Sequence, residues 1–241
     1  MSNLGPLSFS FNGTACTAYG VEVLRLPALT RPGLRQETIS IPGRDGSLHL
    51  MENAYEESLV TCDCYLPYEQ GRTVSTIAHI SKWLRGSGWW TQSDLADRKF
   101  KAHILDELTY QVVMPGFADR LFSIPLWLEP YAYHTSNSPI AFTSTYGVNN
   151  PGTAPSEPII TVVGSGNINL QIGQQTVLIT GLTGVGITLD CAAKMAYYGS
   201  TNLNGIVTTV GGWPKLQPGI TIVSWSGTVT GIELTGNWRD I

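Results

Sequence analysis

The sequence predicts a mainly β protein: an N-terminal β-sandwich or split-barrel domain carrying one α-helix, about residues 73–85, then a second β-sandwich. Three observations carry that expectation. Only 13% of the 241 residues are charged, while glycine is abundant and valine, isoleucine and aromatics are spread evenly, a mix that favours strands and turns. One stretch alone repeats apolar residues at helical steps. Beyond residue 159, glycine-bearing turns recur about every ten residues, the spacing of a two-sheet sandwich.

Taken in order, Leu7 to Phe11 alternates apolar and polar residues, and Gly20 to Leu26 follows as a second strand. Glu37 to Ile41 leads into Pro42-Gly43-Arg44-Asp45-Gly46, a tight turn in which proline fixes one angle and the glycines accept positive φ. Leu48 opens the returning strand, so Arg44 and Asp45 sit at the tip of a hairpin or corner. Ser58 to Leu66 is a strand ended by Pro67. From Thr73 to Arg85, Val74, Ile77, Ile80 and Leu84 share one helical face, with His79, Lys82 and Arg85 on a solvated polar face; Gly86-Ser87-Gly88 is expected to stop the helix. Lys99 to Leu105, Tyr110 to Met114 and Phe122 to Leu128 are the remaining strands of this half.

Charges are frequent up to Pro139 and sparse afterwards, and three prolines with two glycines fall between Tyr146 and Pro158. The expected division is therefore 1–139, a linker at 140–158, and 159–241. In the last part the predicted strands are Ile159 to Val163, Ile168 to Ile172, Thr176 to Ile179, Gly186 to Cys191, Ala196 to Tyr198, Gly205 to Val210, Ile220 to Trp225 and Thr228 to Leu234. Asn237-Trp238-Arg239 is expected to form a last edge strand. Gly164-Ser165-Gly166 and Gly184-Val185-Gly186 read as turns between strands.

Several function classes find little support. A net charge of −4 and a pI near 5.5 argue against nucleic-acid binding through the phosphate backbone. No apolar run approaches the roughly 20 residues that span a bilayer, and the N-terminus lacks the basic and apolar regions of a signal peptide, so synthesis and folding in a cytosol are expected. Cys16, Cys62, Cys64 and Cys191 read as buried free thiols; Cys62 and Cys64 share a strand face, but no second Cys or His pair stands at finger-like spacing. His49, His79, His103 and His134 stand one per element with no nucleophile motif, and the neighbouring carboxylates Asp94 with Asp97 and Glu56 with Glu57 look like exposed loop or edge residues. The expectation is no enzyme, no cofactor and no metal. Aromatics of the second sandwich, Trp213, Trp225, Trp238, Tyr197 and Tyr198, read mainly as core, with Trp213 and Trp225 as candidates for stacking on a sugar.

The order of these pieces resembles the distal tail (Dit) family of long-tailed, mostly non-contractile bacteriophages, the siphophages. The matching pieces are Ile41-Pro42-Gly43-Arg44-Asp45-Gly46, the helix with Ile80 and Trp83-Leu84, and Ser93-Asp94 through Asp97-Arg98 before Phe100-Lys101-Ala102. Phe122-Ser123-Ile124-Pro125, Asn150-Pro151-Gly152 with Pro155 and Pro158, and Trp213-Pro214-Lys215-Leu216 with Pro218-Gly219 complete the collinear set. Where the family often has an asparagine after that last glycine, this chain has Ile220-Thr221, and it lacks large carbohydrate-binding insertions. The resemblance implies a structural virion protein: a homohexameric ring built by the first domain around the DNA conduit, between the tail tube protein and the tail-tip protein. It further implies a galectin-like C-terminal sandwich outside, which in some phages anchors receptor-binding proteins. Location at the distal end of the tail, after synthesis in the bacterial host cytoplasm, follows from the same resemblance. Arg44 and Asp45 then become candidates for a subunit contact. A carbohydrate-binding adhesin and a cell-wall hydrolase are the rival readings.

Overall fold

The computed structural model describes residues 6–43, 45–68, 74–113, 119–183 and 186–241. The chain divides into two compact units, Met1–Ala132 with Ile241, and Tyr133–Asp240.

Unit 1 carries β1 (Phe9–Phe11), β2 (Thr14–Ala15), β3 (Glu22–Arg25), β4 (Leu34–Ser40), β5 (Ser47–Tyr55), β6 (Ser58–Leu66), α1 (Val74–Trp83), β7 (Gly86–Gln92), β8 (Arg98–Ile104), β9 (Gln111–Val112) and most of β10 (Arg120–His134). Its main sheet runs β2-β1-β7-β8-β10-β6-β3, with β9 beside β10. Period-two alternation sends Val60, Cys62, Cys64 and Leu66 of β6 and Phe122, Ile124, Leu126 and Leu128 of β10 inward, where they meet Ile80 and Leu84. Trp83 of α1 stacks on Phe9 (5.7 Å) and Tyr19 (4.9 Å), and its indole N–H donates to the Phe11 carbonyl at 3.1 Å. One helix is thereby pinned to the sheet by an aromatic side chain that is also hydrogen-bonded.

Unit 2 carries β11 (Ile140–Phe142), β12 (Tyr146–Asn150), β13 (Ile159–Ile172), β14 (Gln175–Leu182), β15 (Ile187–Asp190), β16 (Met195–Tyr198), β17 (Thr201–Asn202), β18 (Val207–Val210), β19 (Gly219–Thr235) and β20 (Arg239–Asp240). The order is β11-β19-β13-β15-β16-β17; β12 also pairs β19, and β14 joins β13 to β18. Ile160, Val162, Leu170, Val177, Ile187, Leu189, Val223 and Leu234 are fully buried between these strands. The mainly β, sandwich-type class agrees with the expectation.

Four local differences have physical causes. The stretch 140–158, expected as a linker, carries β11 and β12 paired to β19, and Ser156 bridges Leu216. Its proline and glycine follow the end of β12, where the Asn150 side chain takes over the hydrogen bonding that a ladder would otherwise supply. Gly86-Ser87-Gly88 does not merely end the helix; Gly86, at φ +87°, turns the chain straight into β7, and Gly88 leaves room for the Asn12 side chain. Ile159 to Val163 and Ile168 to Ile172 form one strand, as do Ile220 to Trp225 and Thr228 to Leu234. In each case the glycines sit at a register shift between β13 and β19 rather than at a turn. The strand predicted from Phe122 to Leu128 runs through Pro125 and Pro130 to His134. Thr73, Met114, Gly184 and Val185 lie outside the described residues.

All four cysteines are buried and free. The Cys62 and Cys64 sulfurs are 3.8 Å apart, and the hydrogen bond to Cys64, with burial, pushes the Cys62 thiol up; burial likewise pushes Cys191 and Cys16 up. A raised thiol stays neutral in the folded chain after the unfolded chain has begun to ionise near pH 9. Stability is therefore complete below pH 9 and is expected to fall above it, by up to about 1.4 kcal/mol per pH unit per thiol. Urea midpoints at pH 8 and 10 measure this; the pH 10 loss should shrink in Cys62→Ala and Cys191→Ala.

Candidate self-association surface

β4 and β5 form a two-stranded sheet of their own, and every residue of β4 is exposed. Seven residues span roughly 20 Å, so the ribbon is a substantial exposed element. Its turn is made as the sequence implies: Gly43 and Gly46 take φ of +81° and +80°, which other residues avoid. Asp45 is exposed at the tip; Arg44 lies outside the described residues.

Register decides what each face offers, because cross-strand partners and residues two apart share a face. Ser40 pairs with Ser47, Ile39 with Leu48, Thr38 with His49, Glu37 with Leu50, and Gln36 with Met51. One face therefore carries Ile39, Leu48 and Leu50, with Ile41 next in line, interrupted only by Glu37. The other carries Ser40, Ser47, Gln36, Met51 and the Thr38–His49 hydrogen bond of 3.2 Å. Ile39, Ile41, Leu48 and Leu50 are 37–45% exposed, so the row stays partly open among the described residues. An isolated two-stranded ribbon is marginal in water, and an exposed Arg35–Glu52 pair at 3.7 Å adds little. A covered apolar face is what would hold it.

The tip is legible in the sequence, whereas the apolar row on its arms is not among the sequence-based expectations. Its signal is the alternation Thr38-Ile39-Ser40-Ile41 and Leu48-His49-Leu50 on either side of a turn.

The other candidates fall elsewhere. Trp213 and Trp225 are half-buried against the unit 2 core, and Trp225 lies 6.1 Å from Phe142, ring to ring. Trp238 is buried in that core. Asp94, Asp97, Glu56 and Glu57 are exposed, and Asp97 pairs with Arg98 at 2.7 Å. His103 lies 3.6 Å from Glu129, His134 lies 3.0 Å from Asp240, and His49 is on the ribbon. Among the described residues, no three His, Cys, Asp or Glu side chains are placed to hold a metal. No described helix is long and apolar enough to cross a membrane.

No protein-family profile matches the chain, and no curated protein sequence does. Its structure is similar to the crystal structure of the SPP1 Dit protein (gp 19.1), a paradigm of the hub adsorption apparatus in phages that infect Gram-positive hosts. The TM-score is 0.73 over 95% of this chain and 98% of that one, at 14% identity. The two chains share a fold from end to end.

Proposed function

We propose that this chain is a distal tail hub protein of a bacteriophage, acting by assembly and not by catalysis. The observation that carries the reading is the uncovered apolar face of the β4–β5 ribbon, on a chain with the fold of a phage hub protein. A closed ring needs head-to-tail contacts between two different patches of each copy, and a projecting amphipathic ribbon is suited to be one of them. In this reading six copies form a ring through residues 1–139, around a lumen continuous with the tail tube. Residues 159–241 form a peripheral platform, and tube, tip and receptor-binding proteins are the partners. The chain's acidic balance would discourage DNA from adhering if it faces the lumen.

Solution mass with negative-stain imaging tests this: six-fold rings are expected, and a chain that stays monomeric at tens of micromolar would sink it. Arg44 and Asp45 are proposed to take part in the subunit contact. Arg44→Glu and Asp45→Lys should each weaken the ring, and an unchanged hexamer in both removes the tip from the interface. The adhesin alternative needs Trp213 or Trp225 to offer an open ring face; both are half-buried, which favours the hub. Glycan-array binding abolished by Trp213→Ala without unfolding would favour the adhesin instead.

A further inference from the structure

Unit 2 has a sheet edge that no described strand covers. We infer that β12 is a docking edge for a strand of another protein, and that the occupant is an uncharged extended segment with a bulky β-branched residue opposite Gly147. The inference stands on the sheet of unit 2 alone and goes beyond the hub reading.

β12 pairs with β19 and with no other described strand, so the second side of Tyr146–Asn150 is an edge. Alternate residues of such an edge point their N–H and C=O groups away from the sheet, and only an extended backbone pairs with them in register. Sheet edges are commonly blunted by charge, by proline or by shortness. In unit 1, β3 carries Glu22 and Arg25, and β2 and β9 are two residues long. β12 has five residues, more than β11, β17 or β18, and none of the five is charged or proline. It is an undefended edge.

The side chains beside the edge define the occupant. Val148 and Asn150 face the core, so Gly147 and Asn149 face out, opposite Ile222 and Ile220. Ile220 is 74% exposed and Ile222 53%. A Cβ on Gly147 would stand 3.1 Å from Cγ2 of Ile220 and 3.6 Å from Cδ1 of Ile222, so both isoleucines reach over the glycine toward the open edge. A β-branched side chain on an added strand would meet them there. The next outward rung, Ser224, Gln171, Thr176 and Val210, is uncharged as well. A charged side chain laid on this face would lose water and gain no partner. A second copy of this chain fits poorly. Two β12 edges laid together set Gly147 and Asn149 against each other and bring no apolar side chain to the isoleucines.

Selection of a random displayed peptide library on the immobilised full chain tests this. Uncharged peptides alternating β-branched and small polar residues are expected to be enriched, and the selected peptide should slow amide hydrogen exchange within Tyr146–Asn150. Asn149→Lys and Ile222→Lys each place a charge beside the edge and should weaken that peptide at least about tenfold. Both positions are exposed, so each variant is expected to unfold at the parent's urea midpoint. Methylating the peptide's backbone nitrogens in one alternating phase should abolish binding, while the opposite phase is tolerated. Binding that survives both phases, or both lysine variants, would overturn the strand addition, as would a selection that enriches charged peptides or none. A concentration-dependent dimer of the unsubstituted chain that Asn149→Lys disperses would put a second copy on the edge and overturn the inference too.

Discussion

Ile39→Asp combined with Leu48→Asp is expected to convert the proposed ring to monomers while leaving the thermal unfolding of the chain within about 1 kcal/mol of the parent. The two residues face each other across β4 and β5 on the apolar side of the ribbon. Each is already partly shielded, so the remaining area contributes about 0.5–1 kcal/mol per residue at an interface. The larger effect is electrostatic: an unpaired carboxylate buried at a contact costs several kcal/mol. Together they should weaken each contact by more than about 4 kcal/mol, roughly a thousandfold in dissociation constant. The fold is spared because exposed substitutions away from special features usually move stability by about half a kcal/mol. Thr38→Asp, on the opposite face, is the control. Rings of undiminished size from the double variant, measured by light scattering at the same concentration, would falsify the role given to the apolar face.

Asn150→Leu is expected to destabilise unit 2 by about 3–5 kcal/mol. Asn150 is 2% exposed and uses every polar group it has: its amide N–H groups donate to the carbonyls of Ala154 (3.1 Å) and Leu216 (2.9 Å), and its carbonyl accepts from the Gly152 N–H (2.9 Å). Leucine keeps the size and strands the Gly152 donor and the Ala154 acceptor in the interior, at about 1–3 kcal/mol each. The Leu216 carbonyl fares better, since the Ser156 N–H also donates to it. Gly152 itself lies close against the Arg239 backbone, where any side chain would collide. A fall of about 10–20 °C in the first thermal transition of the full chain is the expected size. A shift of under 3 °C would mean that water replaces the amide.

How much of this was legible in the sequence depends on what each residue type announces. Ser58 to Leu66 reads correctly to both ends, because alternation is unbroken and Pro67 follows. The helix is found from Ile77, Ile80 and Leu84, which pack on the core together, whereas Val74 at its start is 82% exposed and does not join that face. Glycine misleads in three places. At Gly86, Gly164 and Gly227 it marks a turn into a strand or a register shift, yet in sequence it looks like the end of an element. The linker expectation at 140–158 departs from β11 and β12 for a related reason: Asn150 does by side chain what strands do by backbone, and composition cannot reveal that. The ribbon's surface lies beyond sequence for another reason. Alternation at Ile39 and Leu48 states that one face is apolar, not whether this chain covers it.

The base of the ribbon has a consequence for how such a protein can change. The Glu56 N–H donates to the Gly33 carbonyl at 2.8 Å, so the residues on either side of the ribbon are already neighbours. Everything from Leu34 to Tyr55 is thus a cassette hung from a closed clasp, outside the main sheet that holds unit 1 together. Mutations in it are therefore expected to bear little on whether the chain folds. On the proposed hub reading, the contact between copies could then change without passing through an unfolded intermediate sequence.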